Sequence, residues 1–308
     1  MSGTTESLLR QIRKPAGRCL FNGFNTGGWK RMATLLEGKV LARRLNEETA
    51  EYARNHQLTL AIIQAGNDPA SLAYREFKTR QAHKLGIIFE EYLFDSYVPQ
   101  AEIESLIDRL NKRPEIIGIL LEQPLPGEYD AQALMELIAP EKDIDGVTSA
   151  NAARLYFNKP GLFPATAEAL MSLLDYYDID PKGKEAVVVG RSNIVGKPAA
   201  LLLLHRHATV TVCHSRTENL AEVVRRGDIV VAAVGKANLL KKDYFKEGAV
   251  ILDAGYNLVQ GQTTGDVDFK GASTRASAIT PVPGGVGSVT TAAVFKNLVK
   301  AHGLQYGA

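Results

Sequence analysis

The chain has 308 residues, which is long enough for two domains that each bury a core of their own. Lys and Arg together number 36 and Asp and Glu 34, so the charge balance predicts neither a nucleic acid nor a membrane as partner. The two cysteines, Cys19 and Cys213, are too few for a disulfide framework and fit a reducing compartment. Because no Cys or His cluster has metal-ligand spacing, we also predict no metal.

The first 31 residues differ from the rest of the chain, because they carry six basic residues, one acid and no sustained periodicity. Three interpretations compete: a cleavable organellar transit peptide, a disordered basic extension, or a segment upstream of an older start at Met32. We favour an extension outside the fold. The expected location is cytoplasmic, or organellar if the segment is a transit peptide.

From Met32 the apolar residues alternate between helical and strand periodicities. The first predicted elements are a helix at 40–53, a strand at 58–64, a helix at 71–85, a strand at 87–93, a helix at 102–111, a strand at 116–121, a helix at 130–138 and a loop at 140–151. This regular alternation predicts a parallel sheet with right-handed crossovers.

The second half begins with a helix at 165–177 that we expect to bridge into another α/β unit. Its further predicted elements are strands at 186–189, 208–213, 229–234 and 249–253, a helix at 199–204, a rigid glycine-rich loop at 280–287 and a terminal helix at 290–302.

A glycine-bounded turn links the buried strand at 186–189 to the following helix. Gly190 ends the strand and Gly196 begins the helical segment. Such a turn lets backbone N–H groups and the positive helix end approach a pyrophosphate. Ser192 stands where the usual dinucleotide fingerprint has its middle glycine, so the spacing alone leaves a plain α/β turn as the alternative.

The next strand favours NADP over NAD as the dinucleotide. It ends in His214, Ser215 and Arg216, without the acid that normally holds the ribose hydroxyls of NAD. Arg216, together with Arg191 in the glycine turn, suits the 2′-phosphate of NADP. The alternative is that both arginines are solvated loop charges.

Tyr74 and Lys78 lie four residues apart on a predicted helix and therefore share one face. A lysine in a desolvated cleft can transfer protons near neutrality, and a tyrosine can stack on an aromatic substrate. The alternative is an ordinary amphipathic edge. The pair also matches the signature of short-chain dehydrogenases, but in that family it follows the glycine turn, whereas here it precedes Gly190.

Five separated motifs in this order resemble the methylenetetrahydrofolate dehydrogenase/cyclohydrolase family, between about residues 34 and 301. The motifs are Pro69-Ala70-Ser71 with Tyr74 and Lys78; Gly118-Ile119-Leu120-Leu121-Glu122-Gln123-Pro124-Leu125-Pro126; Lys142-Asp143-Ile144-Asp145-Gly146; Gly190-Arg191-Ser192-Asn193-Ile194-Val195-Gly196-Lys197-Pro198; and Thr280-Pro281-Val282-Pro283-Gly284-Gly285-Val286-Gly287.

The resemblance implies an α/β fold with an N-terminal α/β catalytic domain, a Rossmann-type NADP-binding domain and a cleft between them. The expected boundaries are 32–165 for the folate-binding domain, completed by a C-terminal helix at 288–308, and 166–287 for the NADP-binding domain. It further implies a homodimer acting on tetrahydrofolate derivatives. The implied reactions are NADP-dependent oxidation of 5,10-methylenetetrahydrofolate and hydrolysis of the methenyl product to 10-formyltetrahydrofolate.

The resemblance also implies a role for each matching residue. Lys78 would transfer protons and activate water, Tyr74 would stack on the folate, and Asp145 would accept hydrogen bonds from the pterin. The implied cofactor-binding residues are Gly190, Arg191, Ser192, Ser215, Arg216 and Ile279. The implied substrate-binding residues are Tyr74, Gln123, Asp145, Pro283, Gly284 and Gly285.

One departure from the family pattern concerns the catalytic lysine. Glu122 falls where the family usually has a glutamine that contacts the lysine, so we count Glu122 among the candidate catalytic residues. A carboxylate there would favour the charged form of Lys78. Gln123 is not an easy substitute, because adjacent strand residues point to opposite faces. We therefore hypothesise a cyclohydrolase activity that is weakened or shifted to higher pH.

Two alternative functions stay open at this point. The first is a dehydrogenase with weak or absent cyclohydrolase activity because of Glu122. The second is a folate- or nucleotide-binding pseudoenzyme. The presence of Tyr74, Lys78 and Asp145 together argues against the second, because a protein without catalytic activity has no chemical need for all three.

Overall fold

The computed structural model describes the backbone of residues 19–21 and 31–307, and the side chains of residues 33–68, 72 and 75–307. Its strands are β1 (Cys19–Phe21), β2 (Arg31–Leu35), β3 (Thr59–Ala65), β4 (Ile88–Phe94), β5 (Gly118–Leu121), β6 (Glu185–Val189), β7 (Thr209–Cys213), β8 (Ile229–Ala232), β9 (Val250–Asp253), β10 (Asn257–Val259), β11 (Gln262–Thr264) and β12 (Ala278–Ile279).

Helices alternate with the strands along the chain. They are α1 (Gly38–Ala53), α2 (Pro69–Lys84), α3 (Gln100–Lys112), α4 (Ala131–Glu136), α5 (Ser149–Tyr156), α6 (Ala165–Tyr176), α7 (Gly196–His205), α8 (Leu220–Arg225), α9 (Phe269–Ala272) and α10 (Val286–Tyr306). A short 3₁₀ helix lies at Lys242–Tyr244. None of the described helices is long and apolar enough to cross a membrane.

The first half of the chain builds a three-stranded parallel sheet in the order β4-β3-β5. The central strand β3 is buried along its whole length, as a strand flanked by two others and covered by helices must be. Ile103 and Ile107 of α3 pack on this sheet. Because the three strands are parallel, their carboxyl ends meet at one edge of the sheet. The candidate site residues Glu122 and Gln123 follow β5 at that edge.

A larger sheet, in the order β1-β2-β12-β9-β8-β6-β7, joins the strands of the second half to β1 and β2 from the start of the chain. The pairs from β2 to β7 are parallel, and β6 lies between β7 and β8 with Val187 opposite Thr211 and Val230. The predicted fold class is confirmed: two parallel α/β units, of which the second has the strand–turn–helix order of a nucleotide-binding domain.

The prediction that residues 1–31 lie outside the fold is wrong for Cys19–Phe21. This segment pairs antiparallel with β2, which itself extends the large sheet through β12. Pairing satisfies the backbone N–H and C=O groups of an otherwise bare sheet edge, and three residues are too few to show a strand period in the sequence. The rest of the segment, residues 1–18 and 22–30, lies outside the described residues.

The terminal helix α10 begins earlier and ends later than the helix predicted at 290–302. It returns to the first unit. Asn297 donates hydrogen bonds to the carbonyls of Ile144 (2.8 Å) and Phe163 (2.9 Å). Gln305 donates to the carbonyl of Ile117 (2.8 Å). These bonds join the end of the chain to the loops that follow β5 and to the residue just before that strand, and α10 also packs against α1 and α6.

The loop predicted at 140–151 is shorter in the structure, because α5 begins at Ser149. Thr148 caps this helix by accepting a hydrogen bond from the Asn151 backbone N–H. The sequence analysis missed α5, α8 and α9, each of eight residues or fewer. Helices this short show too few turns for a periodicity to be recognised.

Candidate active site

A buried ion pair joins α2 to the end of β5. The Lys78 Nζ donates a 2.6 Å hydrogen bond to Glu122 Oε1, and the two residues are 4% and 5% exposed. Glu122 is fixed by its own backbone N–H, which bonds to the carbonyl of Ile63 in β3 (2.9 Å). Tyr74 lies one turn before Lys78 on α2, as predicted, but its side chain lies outside the described residues.

Asp145 is carried by a loop that a neighbouring carboxylate organises. Asp143 forms a parallel bridge with Ile119, and its side chain accepts bonds from the Thr148 N–H, the Thr148 hydroxyl and the Asn151 amide. Gly146 has a φ of +66°, and a Cβ there would overlap the Phe163 backbone. The loop therefore has one conformation available and presents Asp145 from a fixed base.

The pKa of Asp145 depends on the charges of the ion pair. Burial raises the pKa of Asp145 to about 6, and the Lys78 ammonium acts in the opposite direction. The carboxylates of Asp143 and Glu122 raise the same pKa further. The structure thus places Lys78 and Glu122 in direct contact, and the role of each residue in a reaction stays a prediction.

A cavity of about 1100 Å³ opens beside this cluster, between the two units. Its wall includes residues of α1, α2 and α10, Gln123 and Pro124 after β5, and the segment 281–288. Phe77 and Gln123 line it and are the chain neighbours of Lys78 and Glu122, which are themselves buried behind the wall. Asp145 is not part of the wall either.

The predicted folate-binding loop forms part of this wall through Pro283, Gly284 and Gly285. Gly284 has a φ of +108°, and its carbonyl accepts a 2.8 Å bond from the Gly38 N–H at the start of α1. A Cβ at Gly38 would overlap the Gly285 carbonyl oxygen. The glycines therefore allow the loop to lie directly against α1 and leave its backbone facing the cavity.

The glycine turn after β6 is a tightly packed stretch of backbone. Gly190 has a φ of +130°, and a Cβ at this residue would overlap the Ala233 carbonyl oxygen. A Cβ at Gly196 would overlap the backbone of Gly190. The Ser192 hydroxyl accepts bonds from the N–H groups of Val195 and Gly196 at the start of α7. The two glycines thus allow the compact strand–turn–helix connection that is typical of a nucleotide-binding domain.

The other expected cofactor-binding side chains lie at the same sheet edge. Val189 and Cys213 are opposite each other at the ends of β6 and β7, so Arg191 and the pair Ser215 and Arg216 follow neighbouring strands. All three side chains are exposed. None of them lines the cavity described above.

Ile279 differs from the other expected cofactor-binding residues, because it is fully buried in β12 between β2 and β9. Its side chain packs into the core of the large sheet. The expectation that Ile279 lies beside the nicotinamide stays a prediction.

Sequence reasoning missed two buried carboxylates near the site, Asp143 and Asp253. Asp253 ends β9 and lines the cavity, and burial raises its pKa to about 6. Their positions could have revealed them. Asp253 is the last residue of a strand in a parallel sheet, and Asp143 forms a parallel bridge with Ile119 of β5. Among the described residues, no group of three or more His, Cys, Asp or Glu residues is arranged to hold a metal ion.

Comparison with known families matches nearly all of the described chain to two family models. Residues 36–145 match the catalytic domain of tetrahydrofolate dehydrogenase/cyclohydrolase. Residues 164–306 match the NAD(P)-binding domain of the same family. The two matches leave out residues 146–163, which contain α5, and the second match begins just before α6.

Curated relatives and solved structures agree with this division. The chain is 47% identical to the bifunctional protein FolD of Moorella thermoacetica over 87% of its own length and 98% of the relative. The bifunctional FolD enzyme of Campylobacter jejuni has a TM-score of 0.85 at 39% identity, covering 87% of this chain and 98% of that one.

A structure of the Trypanosoma brucei methylenetetrahydrofolate dehydrogenase-cyclohydrolase, complexed with NADP cofactor and inhibitor, has a TM-score of 0.84 at 34% identity. It covers 90% of this chain and 99% of that one. These structural matches include both units and the cavity between them. The chain belongs to the tetrahydrofolate dehydrogenase/cyclohydrolase family.

Proposed function

We propose that this protein oxidises 5,10-methylenetetrahydrofolate with NADP and hydrolyses the resulting 5,10-methenyltetrahydrofolate to 10-formyltetrahydrofolate. The single observation that carries the proposal is the buried Lys78–Glu122 pair coupled to Asp145, beside a cavity between a folate-type unit and a nucleotide-type unit. The curated relatives named bifunctional, at 44–48% identity, do not favour the pseudoenzyme or a dehydrogenase without cyclohydrolase activity.

The folate substrate occupies the cavity with its pterin toward Asp145. The ionised Asp145 carboxylate accepts hydrogen bonds from the donor-rich pterin edge. Gln123, Pro283, Gly284 and Gly285 line the cavity and border the substrate. The family resemblance assigns Tyr74 to stack on the aromatic portion of the substrate. These contacts hold the one-carbon bridge close to Lys78, which supplies the orientation that the reaction needs.

Lys78 transfers the proton that the hydrolysis requires. Water that attacks the methenyl carbon loses a proton to the neutral form of the Lys78 amine. The bond from that carbon to N5 then breaks as the hydroxyl proton moves to N5, which leaves the 10-formyl product. Glu122 holds the lysine in position by a 2.6 Å bond. The burial of both groups excludes bulk water from the pair and strengthens their mutual field.

NADP, when bound, supplies the acceptor for the hydride that leaves the methylene bridge. Gly190 and Ser192 provide the close backbone approach to its phosphates at the start of α7. Arg191, Ser215 and Arg216 bind the 2′-phosphate from the ends of β6 and β7. Ile279 contributes packing of the sheet beneath this edge.

A pair of absorbance assays on the purified chain tests the proposal. The first follows NADP-dependent formation of methenyltetrahydrofolate from the methylene substrate. The second follows loss of methenyltetrahydrofolate, with spontaneous hydrolysis subtracted. Enzyme-dependent rates in both support the bifunctional proposal. An enzyme-dependent rate in the first assay alone would establish the dehydrogenase without cyclohydrolase activity. No rate in either assay, with NADP or NAD, would favour the folate- or nucleotide-binding pseudoenzyme.

We further propose that residues 32–165 with α10 act as the folate-binding unit and residues 166–287 as the NADP-binding unit, in a cytoplasmic homodimer. The support for the dimer is β4, an edge strand of the small sheet whose Ile88 and Leu93 are 46% and 57% exposed. Light scattering after size exclusion should give twice the chain mass, and Leu93→Lys should shift the protein toward monomer. A monomeric parent protein would refute this assembly.

A further inference from the structure

One buried carboxylate holds three consecutive backbone N–H groups beyond the end of β8. Asp266 is completely buried and accepts hydrogen bonds from Val234 (2.6 Å), Gly235 (3.0 Å) and Lys236 (2.9 Å). Its Oδ1 also accepts a 2.9 Å bond from the Asn257 amide. Four donors on one carboxylate compensate its burial, so the turn is held by a charge as well as by backbone geometry.

A second buried carboxylate holds the first one in place. Asp253, at the end of β9, accepts bonds from the backbone N–H groups of Asp266 (3.0 Å), Val267 (2.9 Å) and Gly255 (2.9 Å). Its own N–H bonds to the Thr280 hydroxyl at 2.7 Å. The two carboxylates therefore form a series of contacts. Asp253 at the end of β9 holds the backbone of the segment that carries Asp266, and Asp266 holds the turn after β8.

Both ends of this series meet surfaces assigned to ligands. The turn after β8 contains Ala233, whose carbonyl oxygen occupies the space that a Cβ at Gly190 would need. At the other end, Asp253, Gly255 and Tyr256 line the cavity. A Cβ at Gly255 would overlap the Asp266 side chain, so the cavity wall lies directly on the first carboxylate.

We propose that Asp266, anchored by Asp253, is a positioning residue that fixes the turn 233–236 against the Gly190 turn and thereby sets the affinity for NADP. This inference rests on the proposed function, which places the dinucleotide at the Gly190 turn. Asp266 touches neither reacting atoms nor cofactor in this scheme. It acts through the backbone of the turn after β8, which packs against the phosphate-binding turn.

The test is Asp266→Asn, which keeps the side-chain volume. The NH₂ group of the asparagine cannot accept a hydrogen bond, so at least one N–H group that donates to Asp266 loses its acceptor. We expect the KM for NADP to rise at least about tenfold, since charged hydrogen bonds are lost. The kcat and KM of methenyltetrahydrofolate hydrolysis should change less than the KM for NADP, because that reaction consumes no nucleotide and the Asp266 side chain meets the cavity wall only through Gly255. Calorimetric titration of the full chain with NADP measures the same loss as a direct change in affinity.

Asp268→Asn is the matched control. Asp268 lies two residues further on and caps α9 through the Gly271 N–H, without a bond to the turn after β8. It should leave the KM for NADP unchanged. Asp253→Asn should raise the KM for NADP and also that for the folate, because Asp253 supports the cavity wall as well.

Two results would overturn the inference: an NADP affinity in Asp266→Asn within about twofold of the parent, or equal losses of NADP affinity and hydrolysis, which indicate general damage. If the parent chain bound NADP but showed no folate oxidation, the proposed function would fail while the calorimetric comparison still decided the inference. If the parent bound no NADP, both would fail.

Discussion

Lys78 and Glu122 lie 44 positions apart in the chain, yet their side chains form a 2.6 Å ion pair that is almost completely buried. A helix of the first unit contributes the ammonium, and the residue after a neighbouring strand contributes the carboxylate. The resemblance to the family placed a glutamine at the second position. This chain therefore sets a charged partner, in place of a neutral amide, against its candidate proton-transfer group.

Glu122→Gln should raise the cyclohydrolase rate near neutral pH several-fold. Glu122 holds the Lys78 side chain in a 2.6 Å ion pair, and an amide at the same position leaves the amine freer to accept a proton from water. The pH dependence of methenyltetrahydrofolate hydrolysis measures the effect, with Asp108→Asn as control because Asp108 forms an exposed pair with Lys112. A rate that stays the same or falls would count against the hypothesis.

Lys78→Met should abolish hydrolysis and also destabilise the protein, by about 3–5 kcal/mol, because the buried Glu122 carboxylate loses its cation. The double variant Lys78→Met with Glu122→Gln should recover much of this stability, since no buried charge is left. Urea unfolding measures the stability, and the hydrolysis assay measures activity. Recovery of hydrolysis in the double variant would show that Lys78 acts only through folding.

The KM for folate substrates should rise as the pH falls below about 6. The pKa of Asp145 is raised to about 6, mainly by burial, so the carboxylate that accepts pterin hydrogen bonds becomes protonated below that value. Dehydrogenase assays between pH 5.5 and 8 measure the profile. Asp145→Asn should have a high KM throughout and a flat profile, and a KM that follows the parent's pH dependence would argue against this role.

Arg216→Ala should raise the KM for NADP by about 10- to 100-fold and leave the KM for NAD unchanged, because the lost hydrogen bonds are to the 2′-phosphate that NAD lacks. Lys182→Ala is the control, since Lys182 is an exposed cation that precedes β6 at the opposite edge of the sheet. Equal losses with both dinucleotides would place Arg216 elsewhere on the cofactor.

Stability should fall as the pH drops below about 6.5, in part through His302 on α10. Burial, and secondarily the neighbouring His56, lowers the pKa of His302, so the unfolded chain binds a proton that the folded chain resists. The His302 Nδ1 lies 3.0 Å from the Tyr52 hydroxyl. Unfolding at pH 8 and pH 5.5 should show a smaller loss for His302→Gln than for the parent. An equal loss would assign the effect to other groups.

The order of the elements and the identity of the candidate chemical groups could be predicted from the amino-acid sequence. Alternating periodicities located most strands and long helices, because burial of one face or of a whole strand imposes those patterns locally. The glycines at 190 and 196 predicted the phosphate-type turn, since no other residue fits so close a backbone approach. Motif order, retained over the chain, identified the family.

The contacts between these groups depend on how the folded chain packs, and they could not be predicted from local patterns. The pairing of Cys19–Phe21 with β2, and of β2 with β12, depends on an open sheet edge that no local pattern reveals. The series from Asp253 through Asp266 to the turn after β8 joins residues more than ten positions apart. A buried carboxylate binds whichever N–H donors the fold brings to it, and that choice is made by packing and not by sequence spacing.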